Sequence, residues 1–153
     1  MNAWNQVRAG FCLLTLLTAA LALGQSSEPA PGGSDLIQPA ELVKALQSRA
    51  KPTIFYVGPR LIFLQAHIPG AEDVGPASKA EGIDKLRRHA SSLARDRFVV
   101  IYCGCCPWEH CPNIRPAFAE LRRLGFTRVK MLYLATSFGS DWVEKGYPEQ
   151  KGE

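Results

Sequence analysis

The chain has 153 residues, of which 46% are hydrophobic and 21% are charged, and its formal net charge is +4. This is the length of one domain, so a second catalytic unit is excluded. The basic residues are scattered, for example over positions 87–88, 95–97 and 122–123, which argues against nucleic-acid binding and leaves at most a weak attraction for small anions.

Residues 1–24 have the organisation of a secretory signal peptide. Arg8 precedes an apolar stretch over residues 11–23, and small residues near position 24 are typical of a signal-peptidase site. A retained membrane anchor is the alternative, but the stretch is shorter than the roughly 20 residues that span a bilayer. We therefore predict a periplasmic or secreted protein with no stable membrane insertion after cleavage.

Signal cleavage would change both the charge and the cysteine content of the chain. Arg8 is the only charged residue removed, so the net charge falls from +4 to +3, and the loss of Cys12 leaves four of the five cysteines. An even number of cysteines in an oxidising compartment makes redox chemistry feasible. Residues 25–35 are rich in Ser, Pro and Gly and are predicted to form a flexible leader, followed by one domain over 36–149 and a short tail over 150–153.

Within this domain, helical and strand patterns alternate. Pro39 begins a short amphipathic helix that continues to Leu46. The predicted elements that follow are a strand over 53–57, a turn over 66–71, a helix over 83–93, a strand over 98–102, a helix over 113–124, a strand over 128–134 and a short tryptophan-bearing segment over 141–145. Because no short hairpin connects these strands, we expect parallel pairing through right-handed crossovers in a three-layer α/β domain.

Four cysteines are clustered directly after the strand predicted over residues 98–102. Cys103, Cys105, Cys106 and Cys111 lie on the connection between this strand and the helix predicted from residue 113. In open α/β sheets, the strand-to-helix edge is where ligands bind. The sequence therefore places the chemistry of the protein in this cysteine loop, which we define as residues 103–113.

Four segments of the chain resemble motifs of a known family. They are His67-Ile-Pro-Gly-Ala71, the strand that ends Val-Val-Ile-Tyr-Cys103, Leu121-Arg-Arg-Leu-Gly-Phe126, and residues 138–148. In this order and at these separations, they resemble a single rhodanese domain over residues 36–149. The resemblance implies a five-stranded parallel sheet flanked by helices, with an active-site loop that opens with a cysteine and wraps around the bound sulfur. Cys103 occupies this opening position.

The resemblance also implies an activity, that of a sulfurtransferase. Cys103 would attack a small anionic sulfane-sulfur donor such as thiosulfate, hold the outer sulfur as a persulfide and pass it to a thiol or to cyanide, without a cofactor. Loop amides and the amino end of the following helix would stabilise the thiolate and then the persulfide. The sequence does not identify a protein partner. The expected substrate-binding and loop residues are Gly104, Cys105, Cys106, Trp108, His110, Cys111, Asn113 and Arg115.

The sequence departs from the rhodanese pattern in two places. The cysteine loop is several residues longer than the usual cradle, and the family's loop-closing arginine falls opposite Asn113. After the second strand, the frequent Asp-Val-Arg is replaced by Tyr56-Val57-Gly58, with Arg60 two residues later as a potential substitute. Arg115 either helps to hold the anionic donor or is a surface arginine without a specific contact.

The additional thiols have three interpretations, which predict different proteins. One of Cys105, Cys106 and Cys111 could resolve a persulfide or sulfenic acid formed on Cys103. Alternatively, Cys105, Cys106, His110 and Cys111, together with Cys103, could bind zinc or copper(I) in a non-catalytic rhodanese-fold module. In the third interpretation, structural disulfides pin the loop, although a bond between adjacent cysteines is strained.

The remaining aromatic and histidine side chains also have alternative roles. His67 belongs to a tight turn, which favours packing or hydrogen bonding over catalysis. His110 could lower a thiol pKa, bind a metal or remain an exposed loop histidine. Trp108 could cover the pocket or only shield apolar surface, and Trp142 is expected to pack in the terminal segment.

Overall fold

The computed structural model describes residues 33–153. The predicted signal peptide, Cys12 and most of the predicted leader lie outside these residues and stay predictions. Gly33–Asp35, at the end of the predicted leader, forms a 3-10 turn immediately before the first strand. No helix in this described part of the chain is long and apolar enough to cross a membrane.

The fold is a five-stranded parallel sheet with helices on both faces, as predicted. The strands are β1 (Leu36–Ile37), β2 (Thr53–Tyr56), β3 (Glu72–Asp73), β4 (Val99–Tyr102) and β5 (Val129–Leu132), in the spatial order β1-β5-β4-β2-β3. The helices are α1 (Pro39–Gln47), α2 (Arg60–Gln65), α3 (Ala80–Ala90) and α4 (Ile114–Arg123). A 3-10 turn, Trp108–His110, lies in the cysteine loop, and a π-helical turn, Gly139–Val143, precedes the C-terminus.

Strand β4 is central because every one of its side chains is apolar or aromatic and can be covered by a helical layer. Its four residues are fully buried, as expected for a parallel strand covered on both faces. Val99 and Ile101 pack with α3 and α4, whereas Val100 and Tyr102 pack with α1 and α2 on the opposite face. The same alternation places Cys103, one residue beyond the strand, on the α3–α4 face of the sheet.

An ion-pair cluster joins α3 to α4 on that face. Glu120 of α4 accepts hydrogen bonds from Arg123 in its own helix and from Arg87 of α3, at 2.6 and 2.7 Å. The hydrogen bonds from Arg123 and Arg87 lower the pKa of the Glu120 carboxyl to about 2. The cluster therefore fixes the helix whose amino end lies against the cysteine loop.

Several elements differ from the patterns read in the sequence. The helix predicted over 83–93 is α3, Ala80–Ala90, which begins earlier and ends where the Ser91 hydroxyl donates to the carbonyl of Arg88. The sequence patterns do not predict β1, β3 or α2, because a strand of two residues shows no alternation and a helix of six residues completes fewer than two turns. The terminal segment is a π-helical turn in which Trp142 is fully buried, as expected.

The C-terminal residues also contact the domain. The backbone of Gln150 exchanges two hydrogen bonds of 2.8 Å with His67, and the Glu153 carboxylate pairs with Arg60. His67 is buried, stacks on Phe63 at a centroid distance of 3.9 Å, and its Nδ1 lies 2.8 Å from the Phe63 carbonyl. These contacts give His67 the packing and hydrogen-bonding role that its turn motif predicts.

Candidate active site

The cysteine loop leaves the sheet at the carboxyl end of β4, which is the ligand-binding edge predicted from the sequence. Cys103 is only 3% exposed, and Gly104 turns the chain with a φ of 76°. A Cβ at Gly104 would lie 2.5 Å from the Cβ of Phe138, so only glycine fits both the backbone conformation and the close approach. The turn leads the rest of the loop across the α3–α4 face to the start of α4.

The loop brings the predicted cysteines together as free thiols. The Sγ atoms of Cys103 and Cys105 are 3.1 Å apart, and those of Cys105 and Cys106 are 3.3 Å apart. The sulfurs of Cys103, Cys105 and Cys111 all lie within 4.8 Å of one another. We call these three residues the sulfur triad. Disulfide formation and soft-metal binding require neighbouring thiols, whereas sulfur transfer requires a single nucleophilic thiol, so the geometry is compatible with each of these reactions.

Asn113 connects the sulfur triad to the rest of the domain. It is 3% exposed, its Nδ2 donates to Cys103 Sγ over 3.3 Å, and its Oδ1 accepts from the backbone N–H of Ser78 at 3.0 Å. The residue that stands opposite the family's loop-closing arginine is therefore a neutral donor to the sulfur. A neutral amide cannot provide the positive charge that an arginine would.

Gly58 explains the second departure from the rhodanese pattern. A Cβ at this position would lie 2.8 Å from Cys103 Sγ and 2.6 Å from the Tyr56 hydroxyl oxygen, which are closer than real Cβ contacts. The Tyr56 hydroxyl in turn donates to the carbonyl of Pro59 over 3.0 Å. The absence of a side chain at Gly58 therefore makes room for the sulfur of Cys103 at the end of the neighbouring strand.

The pKa values of the Cys111 and Cys103 thiols are shifted in opposite directions. The Cys103 thiol, followed by the backbone N–H groups of Asn113 and Ile114, lowers the pKa of Cys111 to about 6. Hydrogen bonding to Cys111 and then burial raise the pKa of Cys103. From the sequence we expected the thiolate on Cys103, whereas these contacts favour a resting state in which Cys103 carries the proton and Cys111 the negative charge.

A small cavity lies beside the sulfurs. Its volume is about 10 Å³, and its lining residues are Cys103, Gly104, Cys106, Trp108, Cys111, Ile114, Leu132 and Leu134. Burial raises the pKa of Cys106 to about 12, so this thiol is protonated at neutral pH. The cavity has room for about one water-sized atom, which is close to the space that a single transferred sulfur needs.

Trp108 lines this cavity and has an unusual indole nitrogen. Its Nε1 is buried, and it is a donor without a hydrogen-bond acceptor among the described residues. The guanidinium of Arg115 lies over the Trp108 ring at 5.0 Å from the centroid, while its side chain is exposed. A buried N–H without an acceptor is costly, and an anionic group in the cavity could satisfy it.

Two predicted residues lie apart from the sulfur triad. His110 is exposed and does not belong to the group of clustered ligands, so the three-sulfur group differs from the predicted set of Cys105, Cys106, His110 and Cys111. Arg60 pairs with Asp73 at 3.0 Å and with Glu153, so its charge is engaged away from the sulfurs. Ser78 could not be identified from the sequence, because its contact with Asn113 depends on a backbone N–H from a distant turn.

The fold is similar to those of solved rhodanese-like structures. The Alr3790 protein from Anabaena sp. has 27% sequence identity and a TM-score of 0.57, with 76% of this chain and 92% of that chain covered. The rhodanese-like domain from the same Anabaena protein, solved by NMR, has 25% identity and a TM-score of 0.58, with 76% and 79% covered. The thiosulfate sulfurtransferase from Pseudomonas aeruginosa has 24% identity and a TM-score of 0.56, with 78% of this chain and 20% of that chain covered.

No protein-family model and no curated protein matches the sequence. The family resemblance is supported instead by structural neighbours that are rhodanese-like domains. At 24% identity, the match to the Pseudomonas enzyme supports the fold alone, and this chain spans only a fifth of that protein. The shared fold does not determine the chemistry of the cysteine loop.

Proposed function

We propose that this protein is a sulfurtransferase that carries sulfane sulfur as a persulfide on Cys103. The proposal is supported above all by one arrangement: Cys103 follows the central strand of a rhodanese-like fold, and its Sγ is 3.3 Å from the donor Nδ2 of Asn113. A hydrogen-bond donor at the sulfur favours a thiolate and then a persulfide anion. The similarity to rhodanese-like domains agrees with this chemistry.

The first half of the reaction follows from the sulfur triad. The proton of Cys103 passes to the thiolate of Cys111, whose sulfur lies within 4.8 Å. The Cys103 thiolate then attacks the outer sulfur of thiosulfate, the S–S bond of the donor breaks, and sulfite leaves with the electron pair. Because the cavity holds about one atom, only the transferred sulfur would enter it, while the oxygens of the donor stay outside.

The proposal is tested by sulfur transfer from thiosulfate to cyanide. The mature chain and its Cys103→Ser variant are compared for sulfite and thiocyanate formation, with circular dichroism to verify that the variant folds. We expect sulfite release by the wild type and none by the variant. Equal sulfite release by both proteins, or none by a folded and fully reduced wild type, would contradict a persulfide on Cys103.

A second candidate function, soft-metal binding, is favoured by the sulfur triad itself. Three sulfurs within 4.8 Å of one another offer the thiolate ligands that copper(I) or zinc prefers. The same purified sample is therefore assayed for bound metal. One tightly held ion per chain without sulfur transfer would support the metal-handling function, whereas transfer with substoichiometric metal would support the sulfurtransferase.

We propose further that the mature protein works in the periplasm or outside the cell. The proposal is based on the apolar stretch over residues 11–23 and on the small residues that follow it. N-terminal sequencing of protein expressed from the full chain in a secreting bacterium tests it. Cleavage near residue 24 and recovery from the periplasmic fraction are expected, and an uncleaved cytosolic product would contradict the proposal.

A further inference from the structure

The cysteine loop holds a second reactive sulfur beside the proposed persulfide carrier. Cys111 is 7% exposed, its sulfur belongs to the same triad as that of Cys103, and it lies directly before the amino end of α4. A single persulfide carrier needs no such neighbour. We infer that Cys111 resolves the Cys103 persulfide by forming a Cys103–Cys111 disulfide with release of hydrosulfide, so that the acceptor of the reaction is a dithiol reductant.

This inference rests on the proposed function and extends it by a second step. The two sulfurs already lie within 4.8 Å of each other. A disulfide places its sulfurs about 2 Å apart, so closure requires an approach of less than about 3 Å. The intervening residues form irregular loop and one 3-10 turn, without a strand or α-helix that closure would have to break.

Among the three neighbouring cysteines, Cys111 is the best placed to resolve the persulfide. Cys105 is nearer to Cys103, at 3.1 Å, but a bond between them would close a very small ring with only Gly104 inside it. Cys106 lies outside the sulfur triad. A bond from Cys103 to Cys111 encloses a longer loop and therefore imposes less strain.

The hydrogen bonds of the loop also favour Cys111 as the attacking sulfur. The Cys111 sulfur accepts from the backbone N–H groups of Asn113 and Ile114 at the amino end of α4, and these donors support a negative charge on it. A thiolate, not a thiol, attacks a persulfide. Once the outer sulfur has recovered the proton that Cys103 gave to Cys111, the same amides again support the negative charge on Cys111.

The two steps balance in atoms and electrons. Cys103 as a thiol, Cys111 as a thiolate and one thiosulfate give the Cys103–Cys111 disulfide, one hydrosulfide and one sulfite. In the second step, Cys111 attacks the inner sulfur of the persulfide, the bond between inner and outer sulfur breaks, and the electron pair leaves with hydrosulfide. The two cysteines are oxidised and the sulfane sulfur is reduced. A dithiol reductant then restores the two cysteines by thiol–disulfide exchange and is itself oxidised to a disulfide.

The inference is tested with the reduced mature chain, freed of reductant under anaerobic conditions and treated with thiosulfate. Sulfite, sulfide and the mass of the intact protein are measured, and the linked cysteines are mapped by peptide mass spectrometry. For the wild type we expect one sulfite and one sulfide per chain, a mass loss of two hydrogens, and a peptide that joins Cys103 to Cys111. For Cys111→Ser, which loses the proton acceptor of Cys103, we expect slower release of one sulfite, no sulfide and a mass gain of one sulfur.

Two chains that keep only one pair of thiols provide the matched control. The double variant Cys105→Ser/Cys106→Ser retains Cys103 and Cys111 and should still release sulfide. The double variant Cys106→Ser/Cys111→Ser retains Cys103 and Cys105 and should hold the persulfide. If a double variant fails to fold, peptide mapping of the wild type still shows which cysteine forms the disulfide with Cys103.

The outcomes separate this inference from the proposed function. Sulfite release with a lasting persulfide in the wild type, or a map that joins Cys103 to Cys105, would overturn the role of Cys111 and leave the sulfurtransferase intact. Absence of sulfite from the wild type and from Cys111→Ser would contradict the proposed function itself.

Discussion

The side-chain amide of Asn113 donates from its Nδ2 to the Sγ of Cys103 across 3.3 Å. Its Oδ1 is engaged at the same time by the backbone N–H of Ser78 at 3.0 Å, so the amide is held in one orientation. The start of α4 is thereby connected to both the sulfur and the turn that precedes α3. Any negative charge that develops on Cys103 has a fixed donor facing it.

Replacing Asn113 by aspartate tests this contact. The introduced carboxylate would still accept from Ser78, but it would present a negative charge to the sulfur instead of a donor. Hydrogen bonds to charged groups contribute about 1.5–3 kcal/mol, so we expect the rate of thiosulfate cleavage to fall about 10- to 100-fold. Stopped-flow measurement of sulfite release gives this rate.

Asn113→Ala serves as the control for that prediction. It removes the donor without adding charge, and we expect a loss smaller than that of Asn113→Asp. Equal rates in Asn113→Asp and the wild type would show that the amide has no part in the charge on Cys103.

Gly58→Ala should impair both folding and sulfur transfer. The new Cβ would lie 2.8 Å from Cys103 Sγ and 2.6 Å from the Tyr56 hydroxyl oxygen, and both side chains are buried. Overpacking of this kind costs about 1–3 kcal/mol of unfolding free energy, and it would displace the sulfur from Asn113. Urea unfolding and the sulfur-transfer assay measure the two effects.

Gly33→Ala is the matched control, because a Cβ at Gly33 meets no atom within 4 Å. We expect wild-type stability and transfer from this variant. A Gly58→Ala protein indistinguishable from Gly33→Ala would mean that Cys103 moves freely in this site.

The location of the cysteine loop could be predicted because the apolar run of β4 and the periodicity of α4 are both strong local signals. The contacts that distinguish the site could not be predicted from the sequence. Asn113 and Ser78 are 35 positions apart, and the approach of Gly58 to Cys103 depends on the register between β2 and β4. Such contacts arise from packing between segments, which no local pattern encodes.

The sequence also could not identify which of the cysteine thiols carries the negative charge. A helix start was expected to supply a positive field, and α4 begins as expected near residue 113. The backbone N–H groups of Asn113 and Ile114 act on Cys111, which follows the 3-10 turn Trp108–His110 in the loop. Spacing alone could not choose among four sulfurs on one irregular segment.

The pKa of Cys111 predicts how the resting thiolate depends on pH. Its thiol has a pKa of about 6 instead of 9.0, chiefly because of the Cys103 thiol. Thiolate absorbance in the ultraviolet should therefore rise through a midpoint near 6, and Cys111→Ser should lack this transition. In Cys103→Ala the first cause is removed, so the midpoint should move upward.

The same shift has a consequence for stability. A group whose pKa is depressed on folding stabilises the native state above its unfolded pKa, and this contribution is lost as the pH falls towards the folded pKa. The Cys111 contribution should therefore decline as the pH is lowered from 9.0 to about 6. Urea unfolding of the reduced wild type and of Cys111→Ser over this range measures the difference. A stability difference between the two proteins that does not change with pH would contradict a thiolate on Cys111.

Trp108→Phe should change the lifetime of the persulfide more than it changes the unfolding free energy. The Trp108 Nε1 is a buried donor with no acceptor in the described part of the chain, so its removal breaks no hydrogen bond of the resting protein. If this N–H donates to an anionic sulfur in the cavity, its loss should shorten the lifetime of the persulfide. A hydrogen bond to a charged group contributes about 1.5–3 kcal/mol, which corresponds to a change of about 10- to 100-fold.

Trp142→Phe provides the matched comparison, since the Trp142 Nε1 donates to the carbonyl of Pro148 at 2.8 Å. Both substitutions shorten an indole to a phenyl ring, but only this one breaks an existing hydrogen bond. We therefore expect Trp142→Phe to lower the unfolding free energy by about 1–3 kcal/mol more than Trp108→Phe does. Persulfide lifetimes come from the decay of the sulfur adduct in Cys111→Ser, used as the common background. A Trp108→Phe protein that is as destabilised as Trp142→Phe, with an unchanged persulfide lifetime, would mean that Trp108 only shields the sulfurs.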